Sequence, residues 1–189
     1  CFADYEKLKY WLPVDWYNGG MEHVTRHLIY SRFWHKFLYD LGLVPTSEPY
    51  KKRTAQGLIL GPDGEKMSKS RGNVIDPLTV IDDYGADTLR TYILFMGDYA
   101  IECPWNDDAI KGVNRFLDRV YNLKDRVVEG NISSSLESQI HKCIKKVSND
   151  IEAMKFNTAI AELMKLVNVY YEKDTITTSD YEVLIKLLY

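Results

Sequence analysis

No stretch of this sequence is apolar for long enough to span a membrane, and its first residues lack the layout of a secretory leader. Cysteine is scarce. Cys1, Cys103 and Cys143 are widely spaced, odd in number and outside any Cys-x-x-Cys pattern. That excludes a disulfide scaffold and a cysteine zinc site, and it points to reduced thiols in a reducing, cytoplasmic compartment. Excess charge is also missing: 24 basic against 27 acidic residues leave a net charge of −3. The chain is therefore no uniformly basic nucleic-acid coat, and any RNA contact must come from local basic faces. The Gly-x-x-x-x-Gly-Lys-Ser/Thr pattern of a P-loop is absent, as are internal repeats and low-complexity segments.

What is present suffices for a core: 189 residues, 46% of them hydrophobic, enough for one domain or two small ones. The chain starts at Cys and stops at Leu187-Leu188-Tyr189 inside a helical pattern, so it reads as a fragment.

Residues 11–17 read as a short strand. Apolar residues then crowd several faces of 21–41 (Val24, Leu28, Phe33, Phe37 and Leu41 among them), predicting a helix buried on much of its surface and closed by Gly42. A second strand is expected over 54–60, ending in the turn Gly61-Pro62-Asp63-Gly64. Asp76-Pro77 starts a short helix, and Gly85 separates it from another that runs to about Met96. After Pro104 the pattern is helical only. Asn106 caps a helix with an inner face of Ile110, Val113, Phe116, Leu117, Val120 and Tyr121. Ser134-Ser135-Leu136-Glu137 and Ser179-Asp180-Tyr181-Glu182 both have capping-box spacing. The first opens a stripe of Leu136, Ile140, Cys143, Ile144, Val147, Ile151 and Met154; a further helix carries Phe156, Ile160, Leu163, Val167 and Tyr170. The expected architecture is α/β plus all-α and mostly helical: an α/β part over 1–103, then an antiparallel four-helix bundle over 104–189.

The chemistry concentrates in two stretches. Lys66-Met67-Ser68-Lys69-Ser70, continued by Arg71-Gly72-Asn73, is a polar loop after a strand and a hairpin turn. Such a loop can bring two ammonium groups and backbone N–H donors to a phosphate chain. By composition alone an ordinary solvated basic loop is the favoured reading. The second stretch, Trp16-Tyr17-Asn18-Gly19-Gly20-Met21-Glu22-His23, sets two glycines and a Glu–His pair where a strand turns into a helix. Taken singly, Glu22 is also a helix-start carboxylate, His23 a core histidine and Tyr17 a packing aromatic.

The five residues 66–70 resemble the KMSKS signature of class I aminoacyl-tRNA synthetases in full consensus form. The Gly-Gly-Met-Glu-His stretch, Tyr84-Gly85-Ala86-Asp87-Thr88-Leu89-Arg90 and Arg115-Phe116-Leu117-Asp118-Arg119-Val120 resemble the leucyl branch. The match is close to about residue 125. Isoleucine, valine and methionine relatives usually carry an Asp-centred version of the glycine motif, and they stand as the alternative.

The resemblance implies the C-terminal half of a Rossmann-type catalytic domain followed by the start of a tRNA-binding, anticodon-binding-type bundle. It implies that ATP, brought with Mg²⁺ as substrate, is bound by Gly19, Gly20, Glu22, Met67, Ser68 and Lys69, with Lys69 and Lys66 as catalytic phosphate contacts. Tyr17 and His23 would wall the leucine pocket. Implied partners are leucine, ATP and tRNA(Leu), with no tightly bound cofactor, no dedicated metal cage, no membrane, and a monomeric parent enzyme. The family also needs a His-x-Gly-His signature, which His23, His27, His35 and His141 do not form. The fragment alone is therefore expected to be inactive without the missing N-terminal half. A non-catalytic RNA-binding module derived from such an enzyme, or another nucleotidyl transferase, are the competing classes.

One more candidate comes from spacing. Lys111, Arg115, Arg119 and Arg126 fall at intervals of four, four and seven, on one helix face that could follow an RNA backbone. The same residues could equally form a solvated face with intrahelical ion pairs.

Overall fold

The structure, a computed structural model, describes residues 3–189. Cys1 lies outside them. The chain divides into two compact units. One takes the chain up to Leu58 together with Ala100–Glu102; the other comprises Ile59–Tyr99 and Cys103–Tyr189.

In the first unit Asp4 caps α1 (Tyr5–Trp11) by accepting from the Glu6 and Lys7 amides. Trp11 is thus helical, and only the later part of the expected strand is extended. Val14 bridges Tyr50 in parallel, and β1 (Tyr17–Asn18) pairs in parallel with β2 (Arg53–Thr54). Parallel strands need a crossover. Here it contains a 3₁₀ turn at Met21–His23, a π turn at Val24–Leu28 and α2 (Ile29–Asp40). Gly42, at φ 70°, closes α2, with the Leu43 amide donating 2.9 Å to Leu38 O. Glu48 fastens the following loop to α2 through Arg32 at 2.7 Å and Lys36 at 3.0 Å, and these bonds hold its carboxyl down at about 2.

The burial expected for this helix is corrected. Only His35 and Leu38 of α2 are buried, whereas Ile29, Tyr30, Phe33, Trp34, Phe37 and Leu41 are exposed. Apolar spacing records which faces suit burial, and within this unit nothing covers most of that stripe.

Of the strand expected over 54–60 only the two ends are extended pairs: Thr54 closes β2 in the first unit, and in the second β3 (Ile59–Leu60) pairs in parallel with β4 (Cys103–Pro104). Two helices connect this pair, α3 (Pro77–Tyr84) and α4 (Ala86–Phe95). Asp76 caps α3 through the Leu78 amide with Pro77 in its first turn, and Gly85, at φ 86°, separates the two helices. Val80, Leu89 and Tyr92 from these helices join Trp105, Ile110 and Val113 in one buried cluster.

Asn106 caps α5 (Asp107–Asn122) through the Asp108 and Ala109 amides. Its buried face is Ile110, Val113, Phe116 and Val120; Leu117 is half-buried and Tyr121, expected inside, is exposed with Lys124 over its ring. α6 (Glu137–Glu152), α7 (Phe156–Tyr171) and α8 (Thr178–Leu188) complete a second cluster around Leu136, Ile140, Val147, Leu163, Val167, Tyr170 and Leu184. A last parallel pair, β5 (Val127–Val128) with β6 (Ile176–Thr177), ties the exit of α5 to the entry of α8. Among the described residues no helix is long and apolar enough to cross a membrane.

Both expected capping boxes are corrected. The actual box lies two residues earlier than 179–182: Thr177 Oγ1 accepts from the Asp180 amide, and Asp180 accepts from the Thr177 amide. Neither serine at 134–135 caps α6; the Leu136 and Glu137 amides donate instead to Ser133 O. Ser133 itself is taken by the buried Asp180 carboxylate. Of the stripe expected on α6, Ile151 is exposed, and Met154 lies past the helix end at φ 60°.

Candidate active site

The candidate residues fall in both units, and each group has its own local architecture. In the first unit, β1 delivers Tyr17 half-buried, with its ring 4.6 Å from Tyr50 and stacked 5.5 Å from His27. The histidine on this tyrosine is thus His27, not His23, one π turn further along; the widened turn at Val24–Leu28 is not readable from residue spacing. His23 is exposed at the end of the 3₁₀ turn.

Gly19 donates its amide to Thr54 O at 3.3 Å, continuing the β1–β2 pairing. Gly20 is buried and caps the 3₁₀ turn in extended backbone. A β-carbon at Gly20 would fall 2.2 Å from Glu22 Oε2 and 2.6 Å from its Cδ. The carboxylate of Glu22 therefore lies folded against the bare α-carbon of Gly20, with its oxygens exposed and no protein partner among the described residues. Arg53 Nη2 donates to Gly20 O at 3.3 Å, pinning the same turn from β2. Gly20→Ala is expected to leave the fold intact, because only a flexible side-chain end must move, while displacing the Glu22 carboxylate. An unchanged melting temperature is the expected result, and a marked drop would show that the Gly20–Glu22 contact holds the turn.

In the second unit the loop 66–70 leaves β3 through the expected turn, with the Gly64 amide donating to Gly61 O at 2.9 Å and Lys66 bridged antiparallel to Leu60. Met67 is half-buried and packs against the cluster of Val80, Leu89 and Tyr92, so its side chain anchors the loop. The tip is folded by Arg71 N–H on Ser68 O at 3.0 Å and Gly72 N–H on Lys69 O at 3.3 Å. Ser68 and Ser70 hydroxyls meet at 2.8 Å. The ammonium groups of Lys66 and Lys69 are exposed and have no protein partner among the described residues. Arg71, by contrast, is neutralised by Glu65 at 3.0 Å. Two unpaired cations on an anchored loop are chemically able to receive a multiply charged anion.

The basic stripe is split. Arg119 donates to Asn168 Oδ1 at 2.8 Å and covers the Tyr171 ring at 4.6 Å; Arg126 stacks on the same ring at 4.7 Å and donates to the carbonyls of Tyr171 and Lys173. Both hold α5 to α7. Lys111 pairs with Asp108 at 3.0 Å, and Arg115, exposed, joins it in a shallow depression with Tyr84 and Asn114. Among the described residues no group of three or more His, Cys, Asp or Glu side chains is arranged to hold a metal.

The family model for class I tRNA synthetases of the I, L, M and V group matches residues 2–106. The chain belongs to this family. Within it, the chain is similar to a leucine–tRNA ligase of Alkaliphilus oremlandii, 54% identical over 98% of the chain and 23% of the relative. A leucine–tRNA ligase of Mycoplasmopsis pulmonis is 51% identical over 90% of the chain and 22% of the relative. This class I synthetase chain therefore spans about a quarter of the length of the curated relatives it matches. Among solved structures it is similar to the Agrobacterium radiobacter LeuRS in its ternary complex with tRNA and LeuAMS, at a TM-score of 0.88 and 35% identity over 98% of this chain and 27% of that one.

Proposed function

We propose that the chain is the part of a leucyl-tRNA synthetase carrying the C-terminal portion of a Rossmann-type catalytic domain (1–103) and the first helices of a tRNA-binding bundle (104–189). The parent enzyme joins leucine to ATP and passes the leucyl group to tRNA(Leu). The observation that carries the reading is the consensus loop 66–70, whose two lysines stand unpaired on an anchored backbone. The 54% identity to a leucine–tRNA ligase supports the leucine branch.

In the proposed mechanism the leucine carboxylate attacks the α-phosphate of ATP. The new C–O–P bond forms as the bond to the β-phosphate oxygen breaks, giving leucyl-adenylate and pyrophosphate. The protein needs no covalent step; it positions the reactants and stabilises charge on the departing group. Lys69 at the loop tip takes that charge, helped by Lys66, while Ser68 and the backbone at Met67 border the phosphates. Gly19 and Gly20 let the adenosine approach the backbone, and the free Glu22 oxygens accept from ribose hydroxyls. Tyr17, with His23, borders the leucine side chain, and His27 backs the tyrosine. Mg²⁺ enters with ATP as substrate. Free thiols at Cys103 and Cys143 accord with a cytoplasmic enzyme, which we take to be monomeric.

The chain holds no His-x-Gly-His, so adenylate formation requires the rest of the parent protein. Amino-acid-dependent ATP–pyrophosphate exchange, measured on this chain and on the full-length protein, tests the reading. Exchange is expected with leucine and only in the longer form. Exchange with valine, isoleucine or methionine instead would overturn the leucine assignment, and exchange by the chain alone would overturn the half-site.

For tRNA, the engagement of Arg119 and Arg126 in the fold leaves Arg115, with Lys111 beside it in an exposed pair with Asp108, as the phosphate contacts of choice. Replacing both by alanine is expected to lower the salt dependence of tRNA affinity by about one to two units of log–log slope. An unchanged slope would remove this face from the tRNA interface.

A further inference from the structure

One side chain, the amide of Asn73, closes the entire loop that carries Lys66 and Lys69. Its Nδ2 donates to Asp63 Oδ1 at 3.1 Å, to Asp63 Oδ2 at 3.0 Å and to Lys66 O at 3.4 Å; its Oδ1 accepts the Ser68 amide at 2.9 Å. Asp63 is held in turn by the Glu65 amide, 3.1 Å from Oδ1. Room for the pair is made at Gly61, where a β-carbon would fall 2.6 Å from Asp63 Oδ1 and 2.9 Å from Asn73 Nδ2. The hairpin turn, the start of the loop and its far end thus meet at one amide–carboxylate contact.

That contact is exposed. At the surface water competes for both partners, so the contact can open and reform at modest cost, as a loop that closes over a substrate requires. A purely structural tie would be better buried. Opening it frees the Ser68 amide and unpins both ends of the segment that presents Lys69, whereas Met67 stays packed against the core.

We propose that Asp63 and Asn73 are positioning residues, a reversible latch that sets where Lys69 meets the phosphate chain. This rests on the reading of residues 66–70 as the phosphate-binding loop. The latch acts through an amide facing a carboxylate, so its polarity can be reversed with only the long bond to Lys66 O lost. N73D sets two carboxylates against each other. In the double variant D63N/N73D the amide stands at 63 and the carboxylate at 73, and the Glu65 and Ser68 amides each keep an acceptor.

The test is leucine-dependent ATP–pyrophosphate exchange by the full-length synthetase carrying N73D, D63N/N73D or K69A, with amide exchange at Ser68 followed on the present chain. N73D is expected to lower kcat by roughly ten- to a hundredfold with the leucine KM unchanged, and to speed exchange of the Ser68 amide. The swap should recover most of both losses, which a variant that merely misfolds would not do. N73D at the wild-type rate, or a swap no better than N73D alone, overturns the latch. K69A at the wild-type rate overturns instead the phosphate reading on which it rests.

Discussion

Lys69→Ala is expected to slow leucine-dependent ATP–pyrophosphate exchange by the full-length synthetase on the order of a hundred- to a thousandfold, the usual cost of removing one electrostatic donor to a developing negative charge. On the proposed reading the effect lies in the chemistry, and the surroundings of Lys69 give its removal little means of disturbing the fold. The ammonium is exposed, pairs with no side chain of the described protein, and rides on a tip held by backbone bonds, the Ser68–Ser70 hydroxyl contact and the Asn73 amide, none of which involves the Lys69 side chain. Its removal leaves no buried group unpaired, so the melting temperature should not move. Arginine at this position keeps the charge but replaces a compact point charge with a broad planar fork, and only partial rescue is expected. Lys66→Ala should cost less, since Lys66 sits beside the Leu60 bridge at the base of the loop. Full activity in Lys69→Ala would remove this lysine from the reaction.

Asp180→Ala is expected to destabilise the unit built on α5 to α8 by about 3 kcal/mol, read as a lower denaturation midpoint of the chain. The carboxylate is fully buried. It accepts from the Ser133 amide at 3.0 Å, from the Ser133 hydroxyl and from the Thr177 amide at 3.1 Å, while its own backbone carbonyl accepts from Tyr170 Oη at 2.8 Å. One residue thereby joins the segment before α6, the start of α8 and the last turn of α7. Alanine would strand several donors away from water, and asparagine would point its NH₂ at some of them. Burial alone would raise the pKa of this carboxyl, but the bonds from Ser133 and Thr177 outweigh it and hold the group below its ordinary 3.8. Because the folded value is the lower one, this stability is complete above about pH 4 and is lost as the pH falls further. A midpoint as acid-sensitive in Asp180→Asn as in the wild type would show that this carboxylate is not the group responsible.

The readings that succeeded rest on local chemistry. Asp76 before Pro77, Asn106 before two aspartates, Gly42 and the turn at 61–64 each settle backbone geometry within a few residues, and all four stand as expected. The readings that failed depend on distant partners. Ser134 and Ser135 have the right spacing for a cap, yet neither caps α6, because Ser133 answers Asp180 from across 47 residues. Tyr121 fits the apolar period of α5 but lies at its edge, and Lys124 covers it. The outward stripe of α2 shows the same limit. Its apolar residues encode burial, and this chain, about a quarter of its relatives' length, supplies cover for few of them.

The candidate site divides in the same way. The loop residues Lys66 and Lys69 and the pair Gly20–Glu22 are legible because motif and backbone constraint occupy one short stretch. His27 beside Tyr17 and the Asp63–Asn73 contact are not, since a π turn shifts the first by one residue's rotation and the second joins residues 10 apart through side chains. Residue type and short spacing suffice to read the family and the starts of α3 and α5, which Asp76 and Asn106 cap, whereas α1, α6 and α8 do not begin where such spacing suggests. Only the tertiary structure decided which polar groups are spent on holding the fold, as Arg119, Arg126 and Asp180 are, and which, like Lys69 and Glu22, are left with no protein partner. The physical reason is that a hydrogen bond or ion pair is a contest among all donors and acceptors the fold brings within reach, and the chain order does not say which of them will meet.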